Sequence, residues 1–139
     1  MRGLGQTGLD ASRRLRDLGF DVTGWARSQK QIDGVRCLAG TEAFKTVTAE
    51  ADILVNLLPL TPDTTDLLDA SVFNRMPKGS FLINVSRGMT IVDADLLTAL
   101  DTGQIEAAAL DVFREEPLPA DDPYWTHPAV SVTPHAAAP

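Results

Sequence analysis

Arg87, Glu116 and His135 are the residues of this chain best placed to do chemistry, because each follows a short apolar run that reads as a β-strand. Phe81-Leu82-Ile83-Asn84-Val85 leads to Arg87, residues 107–112 lead to Glu116, and residues 130–133 lead to His135. In an open α/β sheet the carboxyl ends of the strands are where ligands bind. A guanidinium at that edge can grip a carboxylate or polarise an oxo group through paired donors. An imidazole titrates near neutrality and can give a proton to a developing oxyanion, and a carboxylate beside it can orient the ring. Cation, acid and imidazole together suit the polarisation and protonation of a small oxo acid. Taken singly, Arg87 reads better as half of a structural salt bridge, and a lone loop histidine as a surface residue. That second reading is the one given to His127, between Thr126 and Pro128.

The chain opens with Gly3-Leu4-Gly5-Gln6-Thr7-Gly8, a spacing that cradles a dinucleotide pyrophosphate. Gly3 permits a tight turn, Gly5 lets backbone approach phosphate, and Gly8 lets the helix pack closely on the sheet. Gln6 and Thr7 lie in that loop as candidate cofactor contacts, and its backbone amides and the dipole of the helix that follows it face an anion. Alone, such a glycine pattern is a weak signal. It gains weight from Leu9, Ala11, Ser12, Leu15 and Leu18, which recur at helical spacing up to Gly19 and precede a β-prone stretch at residues 20–25. A free ribose 2′-hydroxyl usually meets an acid roughly 20 residues past the loop. Here no acid occurs between Val22 and Ile32, and Arg27, Ser28 and Lys30 stand there instead. Arg27 and Ser28 suit a 2′-phosphate, so NADP(H) is expected over NAD(H), with NAD possible. Leu58-Pro59-Leu60-Thr61-Pro62 leaves another strand, and Leu58 and Pro59 offer an apolar shelf to a cofactor ring. Asp111 ends the strand 107–111.

Other elements follow from pattern. A weak strand is expected at 35–38, a helix capped by Thr41 to about Val47, and a buried strand at 53–57. Short helical turns are expected from Asp63 or Thr64 and from Ser71 to Arg75. Asp93 is expected to cap a helix closed by Gly103, and Tyr124-Trp125 to form one turn in the long 115–128 segment. Alternating strands and helices imply an α/β fold, a doubly wound parallel sheet of Rossmann type. At 139 residues, with 44% hydrophobic and 22% charged residues, one domain with a real core is expected. A net charge of -7 argues against a nucleic-acid surface. No apolar run approaches a membrane span, and Cys37 stands alone, so neither an intrachain disulfide nor a cysteine metal site is indicated. A cytoplasmic protein without a metal is the expectation.

Read together, GLGQTG, LLPLTPDT, INVSRG, ALDVFREEPLP and TPHAAA resemble the cofactor domain of the D-isomer-specific 2-hydroxyacid dehydrogenases, over practically the whole chain. Residues 123–128 and the Arg27 region resemble the branch that reduces glyoxylate and hydroxypyruvate with NADPH. The resemblance implies that Arg87 binds the carboxylate and oxo oxygen of a small 2-oxo acid, that His135 protonates the oxo group, and that Glu116 pairs with His135. It implies that Asp111 holds the nicotinamide carboxamide, that Gly3, Gly5 and Gly8 hold the pyrophosphate, and that Arg27 holds the 2′-phosphate. It also implies a homodimer in the full-length enzyme. Only Met1 and Arg2 precede the glycine loop, so the sheet is expected to be truncated at its first strand. Residues 1–139 are expected to be a dinucleotide-binding domain without its substrate domain, with little turnover alone. A non-catalytic binding or interaction module is the alternative.

Overall fold

In a computed structural model of the chain, residue 3 and residues 5–137 are described. The expectation of a missing first strand concerns residues before Gly3 and lies outside them. Helix α1 (Gln6–Asp17) leads to β1 (Thr23–Ala26) and β2 (Arg36–Ala39). Then come α2 (Thr41–Ala49), β3 (Ile53–Asn56), the short α3 (Ala70–Phe73) and β4 (Ser80–Asn84). A 3-10 turn at Gly88–Thr90, α4 (Asp93–Asp101), β5 (Ile105–Leu110), a second 3-10 turn at Pro123–Trp125 and β6 (Val130–Val132) complete the order. Every strand pair is parallel: β1 with β2, and β3-β4-β5-β6 in sequence order. Parallel neighbours need crossovers; α3 and α4 lie in those from β3 to β4 and from β4 to β5, while β1–β2 and β5–β6 are joined by segments without an α-helix, and the whole is the expected parallel α/β arrangement.

Burial explains the register. Along β3, Leu54 and Asn56 are buried, and their partners across the ladder, Leu82 and Asn84 of β4, are buried too. Leu54, Leu82, Ile105, Ala108 and Leu110 pack with Phe73 and with Leu96 and Leu100 of α4 to form the main core. A smaller core of Val22, Ala26, Ile32 and Val35 lies under β1 and β2, with Leu9 and Leu15 of α1 against it.

Local differences from the sequence reading have physical causes. The strand expected at 20–25 begins at Thr23 because α1 ends in a Schellman motif, Gly19 donating to Arg16 and Phe20 to Leu15, with Gly19 at φ 91. Thr41 is the first helical residue rather than the cap. Gly40, at φ 86, caps α2, and no side chain accepts from the first turn. Asp93 likewise begins α4 after Val92, its carboxylate being taken by the Tyr124 hydroxyl at 2.9 Å. Asp63 and Thr64 lie in a turn rather than a helix, because the Thr64 hydroxyl donates to the Pro59 carbonyl at 2.7 Å and folds the chain back. Asp69 caps α3 by accepting from the Val72 amide at 3.1 Å, so that helix starts one residue before Ser71 and ends at Phe73.

Candidate active site at the strand ends

The glycine loop sits at the entry to α1. Gly3 has φ 92 and donates its amide to the Trp25 carbonyl at 3.1 Å. A Cβ on Gly3 would lie 2.5 Å from the Leu57 carbonyl oxygen, so this residue is wedged against the exit of β3. A Cβ on Gly8 would fall 1.8 Å from the Gly3 oxygen. The third glycine therefore lets the helix close onto the loop itself, with the Leu57 side chain at 3.8 Å. Gly5 differs from both: no described atom lies within 4 Å of its Cβ position. It is the N-cap of α1, no side chain caps that helix, and no acid occupies its first turn. Two glycines are thus taken up by packing and the middle one is open, which fits a phosphate approaching uncapped amides.

Gly5 and Thr7 form one wall of a crevice of about 580 Å³, faced by Leu57–Leu60 beyond β3, Val85–Arg87 beyond β4, and Ala137 beyond β6. Leu58 is buried and Pro59 exposed, so the apolar shelf expected from sequence lies in this crevice. A smaller hollow of about 320 Å³, between α2 and α3, contains none of the candidate site residues. Arg27 and Ser28 are exposed just past β1.

The crevice lips beyond β3 and β4 are set by a buried polar network that the sequence reading missed. Asn56 and Asn84 are register partners, and the Asn56 amide donates to the Asn84 side-chain oxygen at 3.0 Å and to the Thr90 hydroxyl at 2.8 Å. The Asn56 side-chain oxygen accepts from the Leu58 amide at 3.3 Å, and that of Asn84 from the Ser86 amide at 3.2 Å. Thr90 donates its hydroxyl to the Arg87 carbonyl at 2.7 Å, and the Ser86 hydroxyl donates to the Leu58 carbonyl. The available signal was an asparagine inside each of two apolar strands, a position that costs free energy unless the amide is satisfied. Gly88 was missed too. A Cβ there would sit 1.9 Å from the Phe113 carbonyl carbon, so only glycine lets the Arg87 turn lie against the loop that leads to Glu116.

Arg87 is exposed at the crevice and makes no ion pair among the described residues; its Nη1 donates to the Ser86 carbonyl at 2.6 Å. The salt-bridge reading therefore does not hold for it. His135 Nδ1 lies 2.8 Å from Glu116 Oε2, and Glu116 Oε1 accepts from the Phe113 amide at 3.0 Å. That backbone donor, then the His135 hydrogen bond, and more weakly the charges of His135 and Arg87, hold the Glu116 carboxyl below its ordinary value. His135 itself has φ 53, a left-handed conformation uncommon for a side-chain-bearing residue and often found at functional turns.

Asp111 holds that turn in place. It is 3% exposed, and its carboxylate accepts from the Thr133 hydroxyl and from the amides of Ala136 and Ala137, both at 2.9 Å. Burial opposes ionisation there, but these donors and the His135 charge outweigh it and keep the carboxyl below its usual range. The structure thus brings Arg87, Glu116, His135 and Asp111 to one edge, with Asp111 engaged by the segment that carries His135. His127 is more than a surface residue: its Nδ1 accepts from the Ala129 amide at 3.2 Å and its Nε2 lies 3.3 Å from Asp101. Tyr124 is buried, and burial together with neighbouring Asp93 pushes its phenol well above the ordinary value. Among the described residues no His, Cys, Asp and Glu cluster could hold a metal ion, and no helix is long and apolar enough to cross a membrane.

A parallel α/β sheet with a glycine cradle at one helix start, and an arginine and a carboxylate–imidazole pair at its strand ends, defines a Rossmann-like dinucleotide-binding domain. The family described as D-isomer specific 2-hydroxyacid dehydrogenase, NAD binding domain, matches residues 1–137. The chain belongs to that family. It is 44% identical over 136 residues to glyoxylate/hydroxypyruvate reductase A of Yersinia enterocolitica, covering 98% of this chain and 44% of the relative. Identity is 46% over the same span and coverage for the enzyme of that name from Serratia proteamaculans. The chain therefore spans less than half the length of these relatives. A D-isomer specific 2-hydroxyacid dehydrogenase of Xanthobacter autotrophicus, solved with NADPH and MES, superposes with a TM-score of 0.97 at 44% identity, covering 99% of this chain and 57% of that one. The NADPH-dependent glyoxylate/hydroxypyruvate reductase of Sinorhizobium meliloti, solved with NADP and sulfate, gives a TM-score of 0.95 at 40% identity, covering 99% and 44%.

Proposed function

We propose that this chain is the cofactor-binding domain of an NADPH-dependent 2-oxo acid reductase, with glyoxylate and hydroxypyruvate as its substrate class. One observation carries the reading: the His135–Glu116 pair stands at the same sheet edge as Arg87, which forms no ion pair among the described residues, and the open Gly5 cradle. A module that only bound nucleotide would need the cradle but not the pair.

Gly3, Gly5 and Gly8 shape the cradle, and the first-turn amides of Gln6 and Thr7 hold the pyrophosphate. Arg27 and Ser28 hold the 2′-phosphate. Leu58 and Pro59 wall the ring side of the crevice, and Asp111 positions the His135 turn at its nicotinamide end. Reduced nicotinamide, when bound, supplies the hydride. Arg87 grips the substrate carboxylate and polarises its oxo oxygen. His135, with Nδ1 tied to Glu116, keeps Nε2 to deliver a proton to that oxygen, and Glu116 stays ionised to orient the ring. On the same reading the parent protein is a cytoplasmic homodimer without nucleic-acid or membrane partners. Exposed Ile53 and Phe81, partners on adjoining strands, offer apolar surface for association, and a single free cysteine suits a reducing compartment.

Calorimetry with NADPH and NADH, and glyoxylate turnover in the same sample, tests the reading on the 139-residue chain. NADPH-selective binding with little turnover is the expected result, and failure to bind either nucleotide would overturn it. A binding module without chemistry is the second reading. His135→Asn in the full-length protein separates the two: a reductase loses turnover and keeps NADPH affinity.

A further inference from the structure

Arg27 is not alone at the end of β1. Its Nη2 lies 3.6 Å from Oδ2 of Asp63, a residue of the turn that follows the exit of β3. The two side chains meet from separate strand ends, and both are largely exposed, at 77% and 81%. Asp63 is presented on fixed backbone. Thr64, on the same turn, is 7% exposed; its hydroxyl accepts from the Thr61 amide at 2.8 Å and donates to the Pro59 carbonyl at 2.7 Å. The Thr65 hydroxyl donates to the Thr61 carbonyl at 3.0 Å, and the Asp66 amide to the Met89 carbonyl at 2.9 Å. A carboxylate on so well-tied a turn cannot move far from the guanidinium by backbone motion.

We propose that Asp63 is a specificity-determining residue that limits the preference for a 2′-phosphorylated dinucleotide by competing for Arg27. The inference rests on the reading of Arg27 as the 2′-phosphate ligand. A phosphate arriving at that guanidinium must displace Asp63 from it, and a nucleotide with a free 2′-hydroxyl does not meet that cost. Opposite unit charges about 4 Å apart in water attract by enough to change an affinity roughly fivefold, and that competition exists only while Arg27 is present. Asp63 thereby keeps NADH within reach of a site that Arg27 would otherwise commit to NADPH.

The test is calorimetry on the 139-residue chain with NADPH, NADH, 2′,5′-ADP and 5′-AMP. Asp63→Asn is expected to tighten NADPH and 2′,5′-ADP roughly fivefold and to leave NADH and 5′-AMP within twofold. In an Arg27→Gln background the same substitution is expected to have no such effect, which makes the gain a coupling between the two residues. Circular dichroism checks that the exposed substitutions leave the fold intact. An unchanged NADPH-to-NADH ratio in Asp63→Asn, or a gain that persists without Arg27, overturns the inference. If Arg27→Gln alone lowers NADPH selectivity while Asp63→Asn is silent, only the inference fails. If both are silent, or the chain binds no nucleotide, the reading of Arg27 fails and takes the inference with it.

Discussion

Beneath β1 and β2 the buried apolar residues are Val22, Ala26, Ile32 and Val35, mostly small side chains, with Leu9 and Leu15 of α1 against them. The β3–β6 side encloses Leu54, Leu82, Ile105, Phe73 and Leu96 and adds the Asn56–Asn84–Thr90 network at its carboxyl edge. Trp25 tilted against Phe44 at 5.6 Å joins the two. The cradle and Arg27 stand on the lightly packed side, and Arg87, Asp111 and His135 on the densely packed one. The two roles proposed for these sides ask for different supports. Phosphate is held by backbone amides, which need close glycine contacts but little core. Side chains that act on a substrate atom must be held in position, which needs packing and satisfied buried polar groups.

The contrast is broken most directly in the cores. Leu82→Ala, at a fully buried position of β4, is expected to cost about 3–4 kcal/mol. Val35→Ala in the smaller core should cost about 1.5 kcal/mol, measured with the first by urea unfolding. Equal losses would erase the distinction. Next comes Thr90→Val, which keeps shape but leaves an Asn56 N–H without a partner and takes one donor from the Arg87 carbonyl, which keeps the Asn84 amide and the residue-90 backbone N–H. It should cost about 1–3 kcal/mol, with Thr90→Ser recovering most of it. If Val is tolerated, the network does not hold that edge.

Asp111 sharpens the contrast through pH. Its folded carboxyl lies below the unfolded value, so its contribution is complete above about pH 4 and is lost as pH falls through the lower folded value. Acid unfolding of the wild type should therefore steepen below pH 4, and Asp111→Asn should start less stable and lose that part of the slope. A variant with the wild-type acid limb would sink this assignment. The smallest effect is expected for Glu116→Gln. Its partner is partly exposed, so stability should change by less than about 0.5 kcal/mol, while a reductase containing the domain loses turnover. A large stability loss with unchanged turnover would make Glu116 structural.

Much was legible from residue pattern because its causes are local. Glycine spacing announces a turn with close backbone approach, and Gly3 and Gly8 are each pressed against a carbonyl oxygen. Apolar runs mark strands buried on a parallel sheet, and residues just beyond them fall at one edge by topology alone. The candidate trio was legible for that reason. Helix starts were less so: Thr41 and Asp93 have cap-forming side chains, yet Gly40, at a positive φ, precedes α2, and Val92 precedes α4, where Asp93 is drawn to Tyr124. The residues that were missed, Asn56, Asn84, Thr90, Gly88 and Asp63, act only through partners distant in sequence.

From its sequence alone this chain determined its fold class, its glycine loop, the basic residue at Arg27 where an acid is usual and the edge on which Arg87, Glu116 and His135 stand. Those features follow from short-range sterics and from the alternation of strand and helix. Tertiary structure decided that Arg87 forms no ion pair among the described residues, that Asp111 holds the His135 turn, that Gly5 is the one loop glycine left open, and that Asp63 meets Arg27. Each of these depends on which side chains the sheet brings within bonding distance, and no spacing along the chain encodes a distance across it.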